Sequence, residues 1–195
     1  MSAKSKFASA DLSVGTINAV SKKTGGVNIF ELAHRWQKKD GVIYLSVTSD
    51  GTTGSEWIDR LRKKGFLIGD YARSVLCSKK FKPTTGVTTE IAILEGELFN
   101  DSDRTTKKIN VEAKRRKLKN IRVEAACLIS ENFSVEELKA MDISWIVFMH
   151  KLINNPDGDP SLLVADHGSR ISHLFLGCET PGGKFVRSCG FAFES

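Results

Sequence analysis

Residues 143–149, Ile-Ser-Trp-Ile-Val-Phe-Met, form the most hydrophobic stretch of the chain and decide its fold class. β-Branched and aromatic side chains dominate this stretch and only Ser144 interrupts the apolar run, a pattern typical of a strand buried on both faces of a sheet. Ser134-Val-Glu-Glu137 lies just upstream and matches a capping box, which predicts a helix from there to about Met141. We therefore predict a central strand preceded by a short helix.

The chain upstream of this strand alternates between strand and helix patterns. Residues 42–47 predict a strand, and Thr53-Gly-Ser-Glu56 is a second capping box, which starts a helix that ends near Gly65. Another helix is predicted from Asp70 to about Lys79. Two basic helices in a row raise the hypothesis of a helix-turn-helix motif. The apolar connection between them is too long for the tight turn of that motif, which favours two ordinary core helices instead.

The remaining segments complete an α+β pattern. A basic helix is predicted over 103–118, capped by Asp103 or Ser102. Further strands are predicted at 87–94, 123–129, 161–166, 170–179 and 184–193. The last two strands flank the turn Thr180-Pro-Gly-Gly183, which predicts a C-terminal β-hairpin.

The N-terminal region differs in composition from the rest of the chain. Residues 1–27 are rich in Ser, Ala, Thr, Gly and Lys and predict a flexible arm. From Val27 to Trp36 apolar residues recur at helical spacing, and Lys38-Lys39-Asp40-Gly41 predicts the end of that helix. The resulting fold prediction is a single α+β domain over 28–195, with short helices packed on a mixed or mainly antiparallel sheet.

Several classes of protein are disfavoured by the same sequence. No apolar run approaches the roughly 20 residues that cross a bilayer, so we expect no membrane span. The first residues lack the continuous apolar core of a secretory signal, and the four cysteines contain no Cys-x-x-Cys pair, which together predict reduced thiols in the cytoplasm. The chain contains neither the Gly-x-x-x-x-Gly-Lys-Ser/Thr motif nor a Gly-x-Gly-x-x-Gly motif after a strand, which disfavours nucleotide-dependent chemistry.

The positive charge of the chain is concentrated in two segments. The formal net charge is +6. Residues 104–122 contain nine Lys and Arg against Glu112, and residues 60–82 contain eight against Asp70. The rest of the chain is therefore net negative. If the two basic segments meet in space, they would form the electrostatic surface of a polyanion-binding protein; the alternative is that both are solvated helix faces.

The first functional hypothesis is a small cytoplasmic accessory or regulatory protein that grips the phosphate backbone of DNA or RNA. Cations outnumber plausible base-reading side chains, so backbone contacts are expected to dominate, with Arg115 and Arg116 as the strongest contributors. The predicted nucleic-acid contacts are Arg104, Lys107, Lys108, Lys114, Arg115, Arg116, Lys117, Lys119, Arg62, Lys63, Lys64, Lys79 and Lys80. This hypothesis requires no cofactor.

The second hypothesis is a metal-dependent nuclease or toxin-like RNase. Five residues of suitable chemistry follow the central strand within a short span: His150, Asp157, Asp159, Asp166 and His167. Carboxylate oxygens and an imidazole can hold Mg²⁺ or Mn²⁺, which activates water for phosphodiester cleavage. Their spacing matches no established ligand pattern, and Asp157-Gly-Asp159 is also typical of a solvated turn.

The third hypothesis is an inhibitor or scaffold that binds another protein. It rests on the acidic C-terminal half, where residues 123–195 contain ten Asp and Glu against five Lys and Arg. The sequence leaves open whether the protein has catalytic activity and what its oligomeric state is.

Overall fold

The computed structural model describes residues 35–155, 157–167, 171–178 and 183–195. Arg35–Ser195 forms one compact unit. The predicted arm over 1–27, the first part of the helix predicted from Val27, and most of the turn predicted at 180–183 lie outside the described residues.

The described residues form nine strands and five α-helices. In chain order they are β1 (Trp36–Lys39), β2 (Val42–Asp50), α1 (Gly54–Lys63), β3 (Phe66–Ile68), α2 (Asp70–Leu76), β4 (Thr85–Glu95), α3 (Thr106–Arg115), α4 (Glu124–Asn132), α5 (Val135–Ala140), β5 (Trp145–Phe148), β6 (Ile153–Asn154), β7 (Pro160–His167), β8 (Ser172–Cys178) and β9 (Cys189–Glu194). None of these helices is long and apolar enough to cross a membrane.

All nine strands belong to one mixed sheet, which confirms the α+β prediction. The strand order is β1-β2-β4-β9-β5-β7-β8-β3, and β6 pairs with β7 at the side. The pairs β5/β9 and β3/β8 are parallel, and the other pairs are antiparallel. β5, which lies within the apolar stretch 143–149, occupies the middle of the sheet as predicted.

Each face of the sheet has its own hydrophobic core, because successive strand residues point to opposite faces. On the first face, Ile43 and Ile93 pack with buried side chains of α1, α2, α4 and α5. On the second face, Leu94 packs with Ile109 and Ala113 of α3. Helix α3 therefore lies across the sheet from the other four helices.

Three of the helices begin at a Thr or Ser whose hydroxyl caps the first turn. Thr53 and Ser134 each form the predicted capping box, in which the hydroxyl accepts from the N3 backbone amide and the N3 glutamate accepts from the cap amide. Helix α3 is capped instead by Thr105, which accepts from the backbone amide of Lys108. The prediction of Asp103 or Ser102 as its cap was wrong.

Three further predictions are corrected by the structure. Residues 36–39 form strand β1, which pairs with β2 across a two-residue turn at Asp40-Gly41, rather than the end of a helix. Residues 124–132 form helix α4 rather than a strand. Strand β9 inserts between β4 and β5 and does not form a hairpin with β8; the antiparallel neighbour of β8 is β7.

Helices α1 and α2 do not form a helix-turn-helix. The segment between them is strand β3, whose Phe66 and Ile68 are buried in the core of the first face. Strand β3 pairs with β8, so the apolar connection is part of the sheet.

Candidate functional site

His150, the first residue predicted to serve in a metal or catalytic site, has a structural role. It is almost fully buried, its Nδ1 lies 2.7 Å from the carbonyl oxygen of Lys151, and its Nε2 lies 3.0 Å from the backbone nitrogen of Leu163. Because Nε2 accepts from the Leu163 amide, the ring proton is on Nδ1 and the imidazole is neutral. Burial lowers its pKa further. His150 thus connects the end of β5 to β7.

Asp157 and Asp159 belong to the turn before β7. The side chain of Asn155 accepts a hydrogen bond from the backbone amide of Asp159 at 2.8 Å, and Gly158 in this turn has a positive φ of 92°. The hydroxyl of Tyr71 donates to Asp157 at 2.7 Å. Both aspartates are exposed, as expected for a solvated turn.

Asp166 and His167 lie at the opposite end of β7. At about 3.3 Å per residue, the seven residues from Asp159 to Asp166 span about 23 Å of extended chain. His167 is buried against Phe66, and its Nε2 has no hydrogen-bond partner within the residues that the structure describes. Burial lowers its pKa to about 4. The five residues therefore do not converge. Among the described residues no three His, Cys, Asp or Glu side chains come together in an arrangement that could hold a metal ion.

The two basic segments occupy opposite faces of the sheet over most of their length. Residues 60–82 include α1 and α2, whose buried side chains join the core of the first face. Residues 104–122 include α3, whose buried side chains join the core of the second face. The sheet separates the two helical surfaces, so the outer faces of these helices do not form one continuous patch.

The arginines predicted to dominate phosphate binding are engaged within the protein. Arg115 and Arg116 lie 2.7 and 2.6 Å from the same oxygen of Glu112. The hydrogen bonds from Arg115 and Arg116 lower the pKa of Glu112 to about 2. Arg104 is buried, and its guanidinium donates to two backbone carbonyls and to Asp101. These three guanidinium groups already have acceptors.

The remaining predicted contacts are lysines and one arginine at the surface. Lys64 donates to the carbonyl of Glu131, and Lys108 lies 3.9 Å from Asp103. The others are exposed and have no ion pair within the described part of the chain: Arg62, Lys63, Lys79, Lys80, Lys107, Lys114, Lys117 and Lys119.

The ends of the two basic segments meet beyond the carboxyl end of β5. A cavity of about 500 Å³ is lined there by Lys80 and Lys82, by residues 120–124, and by residues 150–153. We call it the cationic cavity. It brings together one predicted nucleic-acid contact, Lys80, with His150 from the predicted metal set.

Backbone hydrogen bonds hold the wall formed by residues 119–121 against the sheet. Lys119 and Glu194 exchange two backbone hydrogen bonds, of 2.8 and 3.0 Å. The side-chain amide of Asn120 and the backbone amide of Ile121 both donate to the carbonyl of Met149, at 2.7 and 3.3 Å. The wall is thereby fixed to β5 and β9.

Arg122 and Glu124 are oriented by two threonines. Arg122 donates to the hydroxyls of Thr84 and Thr89 at 3.3 and 3.0 Å, which leaves other N–H groups of its guanidinium unused. The buried carboxylate of Glu124 accepts from the backbone amide and the hydroxyl of Thr84, at 3.0 and 2.7 Å. The carboxylate in the cavity lining is thus occupied by Thr84 and not by a cation.

The cavity has an excess of positive charge. Lys80, Lys82, Arg122 and Lys151 have no carboxylate partner among residues 35–155, 157–167, 171–178 and 183–195. The start of α4 also lies in the lining, and the backbone amides of Val123 and Glu124 find no acceptor in the same ranges. Cations and free amides at a helix start are the groups that bind anions.

Sequence reasoning missed three cations of this cavity. Lys82 and Arg122 lie in the basic segments but were not predicted as contacts, and Lys151 lies outside both segments. Lys151 directly follows the stretch predicted as the central strand, and loops at strand ends often contain functional residues. That position was the one available signal for it.

Comparison with protein-family models gave no match to this chain. Neither a curated protein nor a solved structure matches it significantly. What the cavity does is therefore argued from its own geometry and charge.

Proposed function

We propose that this protein binds nucleic acid, with the phosphate backbone held at the cationic cavity. The observation that supports this is the meeting of the two basic segments there, where four cations that have no carboxylate partner in the described part of the chain surround a concave surface. In the same lining, the start of α4 presents two backbone amides that find no acceptor among those described residues. The proposal includes an accessory or regulatory role, because Lys and Arg side chains and helix-start amides are groups that bind and orient an anionic ligand.

The chemistry of the cavity suits phosphate better than an isolated carboxylate. Arg122 is held by two threonine hydroxyls, so its remaining N–H groups are oriented before the ligand arrives and less conformational entropy is lost on binding. The lysines of the rim act as point charges that neutralise phosphates and release condensed counterions. Several cations around one cavity favour a ligand with more than one negative charge.

Exposed lysines extend the positive surface away from the cavity. Lys79 precedes Lys80 on one side, and Lys119 precedes Asn120 on the other. Both are exposed, so a polymer that fills the cavity with one phosphate has further cations near its neighbouring phosphates. The proposal includes location in a reducing compartment such as the cytoplasm, because Cys77, Cys127 and Cys189 are free thiols.

Charge-neutralising variants at the cationic cavity and on helix α3 test the proposal. The cavity variant combines Lys82→Ser with Lys151→Ser, and the matched control combines Lys107→Ser with Lys114→Ser on α3. All four lysines are exposed, so both variants should fold, and each removes the same net charge. Binding to fluorescein-labelled single-stranded 12-mers of DNA and RNA is followed by anisotropy.

The salt dependence gives the expected magnitude. Four phosphate contacts correspond to a slope of about −3 in log K against log salt, or about a 50-fold loss of affinity from 50 to 200 mM salt. The cavity variant should show about half that slope, and the control should keep the slope of the unmodified protein. Equal losses in both variants, or no salt-dependent binding of either 12-mer, would refute the proposal.

A further inference from the structure

The cationic cavity also has an apolar wall. Ile121 and Ile153 are buried in it, and Val123 is half-buried. Leu152 stands at the surface with 47% of its area exposed, next to Lys151. Removing the exposed part of Leu152 from water is favourable, and a base can cover this side chain whereas phosphate oxygens cannot.

We infer that the cavity accommodates one unpaired nucleotide of a single strand. The phosphate would lie at Arg122 and the start of α4, and the base would cover the exposed side chain of Leu152. This inference rests on the proposed function, and it narrows the ligand from nucleic acid in general to single-stranded nucleic acid.

Duplex and single strand differ in what they can offer this cavity. In a duplex the bases are paired and stacked inside, so a concave site meets phosphates and sugars while its apolar wall stays in contact with water. A single strand can turn an unstacked base out of line and place it on an apolar surface. The volume of about 500 Å³ lies in the range of small-ligand pockets, which suits one nucleotide and not a helix.

The lining predicts weak discrimination between bases. Asn120 is the side-chain amide of the cavity, and its N–H donates to the carbonyl of Met149. His150 uses both ring nitrogens within the protein. The contact to the base is then mainly apolar, and apolar contact is tolerant of base identity because every base has a flat face.

Two exposed leucines provide a matched pair of variants. Leu152→Ser alters the apolar wall, and Leu67→Ser alters strand β3, where Leu67 is 55% exposed and outside the cavity lining. Anisotropy is measured with a labelled dT 12-mer and with a labelled hairpin of 12 base pairs whose loop is a polyethylene glycol linker and therefore contains no unpaired base, at one salt concentration. Circular dichroism checks that both variants fold.

The unmodified protein should bind the dT 12-mer at least tenfold more tightly than the hairpin. Leu152→Ser should weaken binding of the 12-mer about fivefold, the effect of losing roughly 40 Å² of apolar contact, and should leave hairpin binding unchanged. Leu67→Ser should change neither affinity.

The outcomes separate this inference from the proposed function. Equal affinity for the 12-mer and the hairpin, or an equal loss on both in Leu152→Ser, would overturn the single-strand inference and leave phosphate binding intact. Absence of binding to both probes would overturn the proposed function together with this inference.

Discussion

Buried His167 should make the protein less stable as the pH is lowered from 6.5 to 4, a range in which carboxylates contribute little to the change. The ring packs edge-on against Phe66 at 5.4 Å between centroids, and burial lowers its pKa to about 4, compared with about 6.5 in an unfolded chain. Between these two values the unfolded state binds more protons than the folded state. Stability therefore decreases as pH falls below 6.5, and the decrease is complete near pH 4.

The expected loss follows from the two pKa values. Each unit of pKa difference corresponds to about 1.4 kcal/mol, so His167 contributes a loss of about 3 kcal/mol when the decrease is complete and about 2 kcal/mol by pH 5. Asp50 and Glu112 have lowered pKa values of about 2, chiefly through hydrogen bonds from arginines. Their stabilising contributions are present above the unfolded pKa values near 4 and are lost only below them.

Urea denaturation at pH 8 and pH 5 measures this contribution. His167→Phe keeps an aromatic ring against Phe66 and removes a buried Nε2 for which the described ranges contain no hydrogen-bond partner, so the variant should fold. The unmodified protein should lose about 2 kcal/mol more than the variant between the two pH values. His150 also has a lowered pKa, but it is present in both proteins and cancels in the comparison. The same pH-dependent loss in both proteins would refute the assignment of a neutral, buried His167.

Four further substitutions test the packing and hydrogen bonding of the interior, each by urea denaturation. Gly54→Ala should lower the free energy of unfolding by about 3 kcal/mol or more, because the added Cβ would lie 1.8 Å from the backbone oxygen of Leu76. Gly65→Ala meets open space and should lower it by only about 1 kcal/mol, because Gly65 has a positive φ of 86°. Ser130→Ala should leave stability unchanged or raise it by up to about 1 kcal/mol, since the buried hydroxyl finds no hydrogen-bond partner in the part of the chain described; a loss above 1 kcal/mol would contradict this. Arg104→Ala should cost about 3 kcal/mol, because two backbone carbonyls lose a charged donor; a loss below 1 kcal/mol would contradict that role.

Local sequence patterns predicted the elements whose determinants are local. Both capping boxes depend on residues three apart, at Thr53 and Ser134, and both formed as expected. The position of β5 was predictable because only a strand covered on both faces tolerates the apolar run of 143–149. Fold class follows from such elements without any knowledge of strand order.

The wrong predictions occurred where a short pattern has two interpretations. Residues 124–130 are buried all round, so helix α4 has no polar stripe and its apolar run resembles a buried strand. Asp40-Gly41 was interpreted as a helix end, although Asp-Gly also favours a two-residue hairpin turn with positive φ at both positions. The observed φ values of 52° and 71° show the hairpin turn.

The cationic cavity could not be predicted from the sequence, because its position depends on the order of the strands in the sheet. Charge counts located two basic segments, but which cations are free depends on contacts such as that of Arg104 with the carbonyl of Phe185, 81 residues away in the sequence, which only the folded chain defines. The meeting of Lys82 with Arg122 depends on how the segments after α2 and α3 run to the same end of the sheet.

The place of the cavity is a consequence of the two parallel strands in the middle of the sheet. Strands β5 and β9 run side by side in the same direction, so their carboxyl ends emerge together. After β5 the chain leaves the sheet at Met149. At the end of β9, Glu194 pairs with Lys119, and the few residues after Lys119 connect it to the start of α4. A crevice at the carboxyl ends of neighbouring parallel strands is a common place for ligands, because diverging loops and a helix start meet there. In this protein that geometry places cations that have no carboxylate partner in the described ranges beside two backbone amides of α4 that find no acceptor there, whereas two of the cations at the end of α3 share one glutamate. A binding site for anions is therefore located better by the sheet topology, which determines where cations are left for a ligand, than by the number of cations in a segment.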